Sequence, residues 1–390
     1  MKGFKMAMAI LLFSIIFGLL NYYVGIRTWE FLSLVFPETM KAPYWILFWC
    51  ISMSYIIGRL VGKRLPYKVN RGIEFIGSYW MAVMMYSIIS LLLVDVIRLV
   101  NYLFGFIELN NGLGKTLIYA EGAIVIIIII IIIIYGTWSA GNTIFRDYEC
   151  EITKDMGNLE EFTIIAASDI HLGSAGHKKR LIKMIDMINS SNPDLVLFAG
   201  DIIDEHLEPF IHENMGSYFN KIRSKYGVYA VTGNHEYISG RTDEFVGYLE
   251  KAKVKVLLDD YVKVADSFYV VGRKDISGVR FSGVERDNLE NIMIGINKDF
   301  PIILMDHQPV KLHEAENAGV DLQISGHTHK GQLAPGNFIT KSIFEIDYGY
   351  LKKNNLNVIV SSGYGTWGPP IRIGSRSEIL RIKVRGKQKI

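Results

Sequence analysis

The chain is 390 residues long, 50% hydrophobic and 21% charged, and its 42 Lys and Arg against 39 Asp and Glu leave a net charge of +3 at pH 7. So even a balance indicates neither nucleic acid nor any other polyanion as a partner. Of its two cysteines, Cys50 lies inside an apolar stretch and Cys150 near the start of the polar part, so neither a disulfide framework nor a Cys-x-x-Cys metal site is available.

Most of the apolar excess lies before Gly141. Residues 6–24, 44–61, 76–94 and 122–138 are each about as long as an apolar helix must be to cross roughly 30 Å of hydrocarbon, so residues 1–140 are expected to form a transmembrane anchor of about four helices. The first follows Lys2 and Lys5, but no small-x-small cleavage site comes after it, so it is expected to be a retained span rather than a signal peptide. Residues 126–134 are all isoleucine, which suits a lipid-facing anchor whose backbone must bond internally. Lys63, Arg64, Lys68 and Arg71 crowd the loop after the second span, whereas the first loop holds only Arg27 and Lys41. Basic residues are retained on the cytoplasmic side. The N-terminus, the second loop and, after an even number of spans, the remainder of the chain are therefore expected in the cytoplasm, as in a multi-pass protein of the cell membrane. Asp95 and Arg98, three apart near the end of the third span, are expected to satisfy each other and snorkel to the interface.

Past Gly141 the texture alternates between strand and helix, and residues 141–390 are expected to form one domain. Residues 162–168, 195–199, 228–232, 301–305 and 321–325 are short apolar runs of the kind buried in α/β sheets, with helical spacing over 178–188. After residue 343 the helix signal fades, and strands at 357–361 and 378–384 predict a second, more antiparallel sheet packed on the first. Each of the main runs ends in a polar motif: Asp169-Ile170-His171, Gly200-Asp201, Gly233-Asn234-His235-Glu236, His307, and Gly326-His327-Thr328-His329. Ligands gather at the carboxyl ends of such strands. Any one of these motifs alone is more often a turn or a helix cap than a metal site. Together they offer carboxylate, amide and imidazole donors, the set that two divalent cations need, which points to hydrolysis of a phosphate ester.

The order of these motifs resembles the calcineurin-like metallophosphoesterases, and residues 326–332 with 361–370 look like the membrane-associated bacterial branch of that superfamily. The resemblance covers about residues 145–385 and leaves the four spans outside it. It implies an α/β fold, a two-sheet sandwich flanked by helices. It also implies that Asp169, His171, Asp201 and His329 hold one metal and that Asp201, Asn234, His307 and His327 hold the other, with Asp201 bridging. A hydroxide bound to both metals would attack phosphorus. His235 would act as general acid or as a donor to the phosphoryl group, with Asn234 beside it at the substrate. Glu236, where the family more often has Asp, would orient the His235 ring. The donor set suits Mn, Fe, Zn or Mg.

His177, His206, His212 and His313 match no motif and are expected at the surface, while Gln332 and residues 364–367 are candidates for substrate-contacting loops. The leading expectation is a membrane-anchored, metal-dependent phosphohydrolase acting on phosphomonoesters or phosphodiesters. Its partners would be a phosphoester substrate and the lipid bilayer. One alternative substrate is a lipid-linked phosphate or pyrophosphate. A membrane signalling or scaffold protein with a structural metal site is the alternative class, and a transporter regulated by the polar part lacks paired polar residues at mid-span in its support.

Overall fold

Four long helices occupy the N-terminal third of the computed structural model: α1 (Lys2–Leu32), α2 (Lys41–Val61), α3 (Tyr67–Phe104) and α4 (Asn111–Gly141). The structure describes residues 2–61, 64–107, 111–157, 159–173 and 177–386. Lys63 and the side chains of Lys2, Lys5 and His177 lie outside the described residues. The chain divides into two units, Met1–Thr137 with Gly368–Ile371 and Trp138–Trp367 with Arg372–Ile390.

In the first unit all four helices are long and apolar enough to cross a membrane. The isoleucine run on α4 is exposed or half-buried along its length, as a lipid-facing surface would be. Asp95 and Arg98 do not satisfy each other as expected. The Asp95 carboxylate accepts from Tyr23 Oη at 2.6 Å and pairs with Arg27 at 2.9 Å, both on α1. Arg98 pairs with Glu121 of α4 and lies 3.7 Å from Glu30 of α1. Their partners come from neighbouring helices because Arg27, Glu30 and Glu121 stand at the same level of the bundle. In a medium without water, an interhelical partner satisfies a charge better than an exposed neighbour on its own helix.

The second unit holds two six-stranded sheets. Its strands are β1 (Ile144–Ile152), β2 (Glu161–Ala167), β3 (Leu195–Ala199), β4 (Val228–Val231), β5 (Val254–Val256), β6 (Asp260–Val264), β7 (Phe268–Gly272), β8 (Ile302–Met305), β9 (Leu322–Ser325), β10 (Gly349–Lys353), β11 (Leu356–Val360) and β12 (Glu378–Gly386). The first sheet runs β1-β12-β2-β3-β4-β5 and the second β10-β11-β9-β8-β7-β6. β8 and β9, expected to continue the first sheet, belong to the second. There β7, β8, β9 and β11 are mutually parallel, and antiparallel pairing is confined to the edge strands β6 and β10. Burial explains the difference from the expected antiparallel sheet: every residue of β8, β9 and β11 is buried, and strands covered on both faces are the ones that run parallel.

The sheets face each other through apolar side chains that include Ile164, Leu197, Val270, Ile303, Ile324 and Leu380, with the Phe162 and Phe268 rings stacked 4.6 Å apart. Leu181, Met184, Ile185 and Ile188 seal the outer face of the first sheet, at the spacing that makes His177–Ser190 an amphipathic helix, α5. Leu312, Ala315 and Ala318 do the same for the second sheet. The result is the helix-flanked two-sheet fold anticipated from the sequence. β12 is antiparallel to β2 and parallel to β1, so Ile144, Glu378 and the final residues of β2 share one end of the sheet. That end is where the polar motifs lie.

Candidate metal centre

Each candidate donor sits in the first turn after a buried strand. The loops leaving β2 and β3 are laced together by backbone bonds: Asp169 N–H donates to Gly200 O at 3.0 Å, Ile170 N–H to Asp201 O at 2.8 Å and Leu172 N–H to Ile202 O at 2.8 Å. Five donors have left-handed backbone: Asp169 (φ 51°), His171 (φ 50°), Asp201 (φ 51°), His327 (φ 70°) and His329 (φ 49°). Non-glycine residues adopt this conformation at a cost on the order of 1 kcal/mol each, so the fold gives up stability to aim these side chains inward. Two glycines admit them. A Cβ on Gly233 would overlap the Asp201 carboxylate, and one on Gly326 would overlap that of Asp169.

The structure gathers all seven expected donors. Asp169, His171 and His329 each offer an atom within 4.8 Å of the others, and Asp201, His307 and His327 do likewise. Asn234 Oδ1 lies 2.8 Å from His327 Nδ1. Asp169, His171, Asp201, His307 and His329 are buried, while Asn234 and His327 are half-buried and form the mouth.

The chemistry of the donors fits a cation. His307 Nδ1 lies 2.8 Å from the carbonyl oxygen of Ala199, which can only accept, so its proton is on Nδ1. A neutral ring would then turn a bare Nε2 toward Asp201 Oδ2 at 3.1 Å, two lone pairs in contact that only a proton or a cation between them relieves. Burial disfavours charge on His307, but the Asp201 carboxylate outweighs it and lifts the imidazole well above its ordinary range. The pair thus calls for positive charge between its members. His171 Nε2 and His329 Nε2 face each other at 3.0 Å. Burial drives His171 down to about 3 and His329 well below its usual value, so both rings are neutral and can offer lone pairs.

Around the donors, the ring expected to be oriented by Glu236 is not touched by it. Glu236 instead accepts from the backbone N–H groups of Gly233 (2.6 Å), Asp201 (3.0 Å) and Ile203 (2.9 Å), bracing the turn after β4 against the turn after β3. At the start of a short helix, its oxygens are captured by free N–H groups before they can reach a side chain. The partner of His235 is Asp204, with Oδ1 3.2 Å from Nδ1, while His235 N–H donates to Asp201 Oδ1 at 2.8 Å. Burial opposes protonation of His235, but the Asp201 and Asp204 carboxylates hold it up at about 9.

Sequence reasoning missed Asp204 and Arg372. The spacing Asp201-Ile202-Ile203-Asp204 was the available signal for the first. Arg372, two residues past the 361–370 stretch, is buried, donates to Gly363 O, Gly365 O and Ser375 Oγ, and lies 3.3 Å from His329 Nδ1. Among the loop candidates, Gln332 and Trp367 exchange bonds through Gln332 Nε2 to Trp367 O (2.8 Å) and Trp367 N–H to Gln332 Oε1 (2.9 Å). Tyr364 is buried, with its hydroxyl donated to Arg180 O at 2.7 Å, and so is not a surface loop residue. His206, His212 and His313 are exposed, as expected.

Residues 162–331 match the family described as calcineurin-like phosphoesterase. An uncharacterized metallophosphoesterase of Campylobacter jejuni is 28% identical, over 98% of this chain and 100% of its own. A transmembrane protein with metallophosphoesterase domain from Danio rerio is 27% identical over 92% of this chain and 81% of its own. An uncharacterized metallophosphoesterase of Aquifex aeolicus is 31% identical over 60% of this chain and 89% of its own.

Proposed function

This chain belongs to the calcineurin-like phosphoesterases, and on that premise we propose that it is a membrane-anchored hydrolase of phosphomonoesters or phosphodiesters that works with two divalent cations. The observation that carries this reading is the convergence of seven donors from the ends of five strands in two sheets. Asp169, His171, Asp201 and His329 would hold one cation and Asp201, Asn234, His307 and His327 the other, with Asp201 shared. Mn, Fe, Zn or Mg suits such oxygen and nitrogen donors. When bound, the cations would supply positive charge to the phosphoryl oxygens and make a water in the site more acidic.

The remaining steps fall to the chain. His235, whose Nδ1 lies 3.2 Å from Asp204 Oδ1, would give a proton to the leaving oxygen. Asn234, at the mouth, contributes a donor for the phosphoryl group without adding charge. Glu236 holds the two turns that present Asp201 and Asn234 in one arrangement. Arg64, Lys68 and Arg71, beside α2 and α3, support a cytoplasmic side for the catalytic unit, which a reporter fused to the C-terminus tests.

Purified full-length protein with Mn(II) is expected to cleave an aryl phosphomonoester or phosphodiester. Asp201→Asn is expected to lower kcat by at least about a hundredfold, since an amide cannot neutralise two cations. Bound metal without turnover across a broad phosphoester panel would instead favour a signalling or scaffold role.

A further inference from the structure

The helix Gly336–Ile343 is built inside out. Phe338, Ile339 and Ile343 are 71%, 62% and 66% exposed. At about 100° per residue they share an arc of about 140°. The face turned toward the domain is polar: Thr340 Oγ1 donates to Asp347 Oδ2 at 2.7 Å, and Asn337 beside it is half-buried. A surface helix of a soluble domain does the reverse, hiding the apolar stripe.

This helix is rooted in the candidate metal centre. It follows His329 by seven residues, Gly336 N–H donates to Leu333 O at 2.7 Å, and the Phe344 ring at its end lies 6.1 Å from that of His327. Trp367, half exposed at 50%, is tied to the same segment by its reciprocal bonds with Gln332. Lys341 is exposed on the flank of the helix. Aromatic and aliphatic side chains with lysine at the edge make up the composition of helices that lie in the interface of a bilayer.

The last turn of α4, residues 138–141, belongs to the catalytic unit, and it is bonded to the loops around the site. Ser139 Oγ donates to Ser375 O at 3.0 Å, and Arg180 donates to both Ala140 O (3.2 Å) and Tyr364 O (2.7 Å). Tyr364 N–H in turn donates to Ser168 O, next to Asp169. Only residues 142 and 143 separate α4 from β1, a reach of about 7 Å. Within the catalytic unit, residues 138–141 are therefore bound at the end that carries the donors.

We propose that the Gly336–Ile343 helix and Trp367 form a lip lying in the headgroup zone of the bilayer, so that the candidate site opens onto the lipid surface and receives phosphoesters presented there. The contact with lipid stands on the lip alone, whereas the consequence for substrate rests on the phosphoesterase reading.

Full-length protein carrying Cys50→Ser and Cys150→Ala, with a single added cysteine from Ile339→Cys, Ile343→Cys or Ile294→Cys, would be labelled with a fluorophore. It would then be placed in nanodiscs with and without lipids bearing a headgroup nitroxide. Ile294 is 73% exposed and serves as reference. Labels at 339 and 343 are expected to lose at least about half their emission to the nitroxide lipids while the label at 294 does not, since quenching falls off within the depth of the headgroup layer. Equal emission at all three positions overturns the lip, as does energy transfer between labelled copies through 339, which would mean that a second copy covers the helix. In the same discs, the combined Phe338→Ser, Ile339→Ser and Ile343→Ser variant is expected to keep the wild-type rate on a soluble aryl phosphodiester. On one carrying a dodecyl chain it is expected to lose at least about fivefold. Equal rates on the dodecyl substrate would remove the substrate consequence. A wild type inactive on both would sink the phosphoesterase reading and leave the quenching result standing.

Discussion

Asp204 is the residue on which the chemistry of His235 turns. A proton held for a leaving oxygen matters most when that oxygen is a poor leaving group, so Asp204→Asn is expected to lower kcat about 10²-fold or more on an alkyl phosphoester and much less on a nitrophenyl ester, with KM little changed. Equal losses on both, measured in steady state, would assign Asp204 to the fold rather than to proton transfer. The seven donors were legible because imidazole, carboxylate and amide gathered at the ends of apolar runs suit metal binding as a set far better than they suit turns or caps one by one. Asp204 was not, because a lone aspartate gains its role only from a histidine 31 residues further on. Arg372 escaped for the opposite reason: arginine in a Gly- and Pro-rich stretch reads as surface, and only three backbone and hydroxyl acceptors arranged around it make its burial tolerable.

Among the elements, the strands carrying the donors, β2, β3, β4, β8 and β9, were the readable ones, since each is a short, largely apolar run whose last residues are buried. The edge strands were not. β1 alternates charged and apolar residues and owes its place to nine-residue pairing with β12, and β6 and β7 form a hairpin whose signal is spread over the turn at Ala265 and Asp266. Sheet membership of β8 and β9 could not be read at all, because a buried strand looks the same in either sheet. The turns after the strands carry a sharper expectation. Gly326→Ala would push a methyl group into Asp169 and Ser168, and the donor would have to move. Metal binding is expected to weaken about 10–100-fold, which metal content after dialysis would show. Retention of the wild-type metal content would mean that the turn relaxes elsewhere.

For the whole molecule, gathering three clusters of acidic and imidazole groups at one end would couple folding to any cation bound there. A ligand present at about a hundred times its dissociation constant adds about 2.7 kcal/mol to stability. Chelation is therefore expected to lower the Tm of the catalytic unit by several degrees, and added Mn(II) to restore it, in a scan of the full-length protein in detergent. A further consequence comes from the two residues that join α4 to β1. A catalyst on so short a leash samples a plane and not a volume. Its encounter rate with a lipid-borne substrate would be governed by how crowded that substrate is among its neighbours in the leaflet, and thinning the leaflet with inert lipid would slow it even when the amount per litre stays the same.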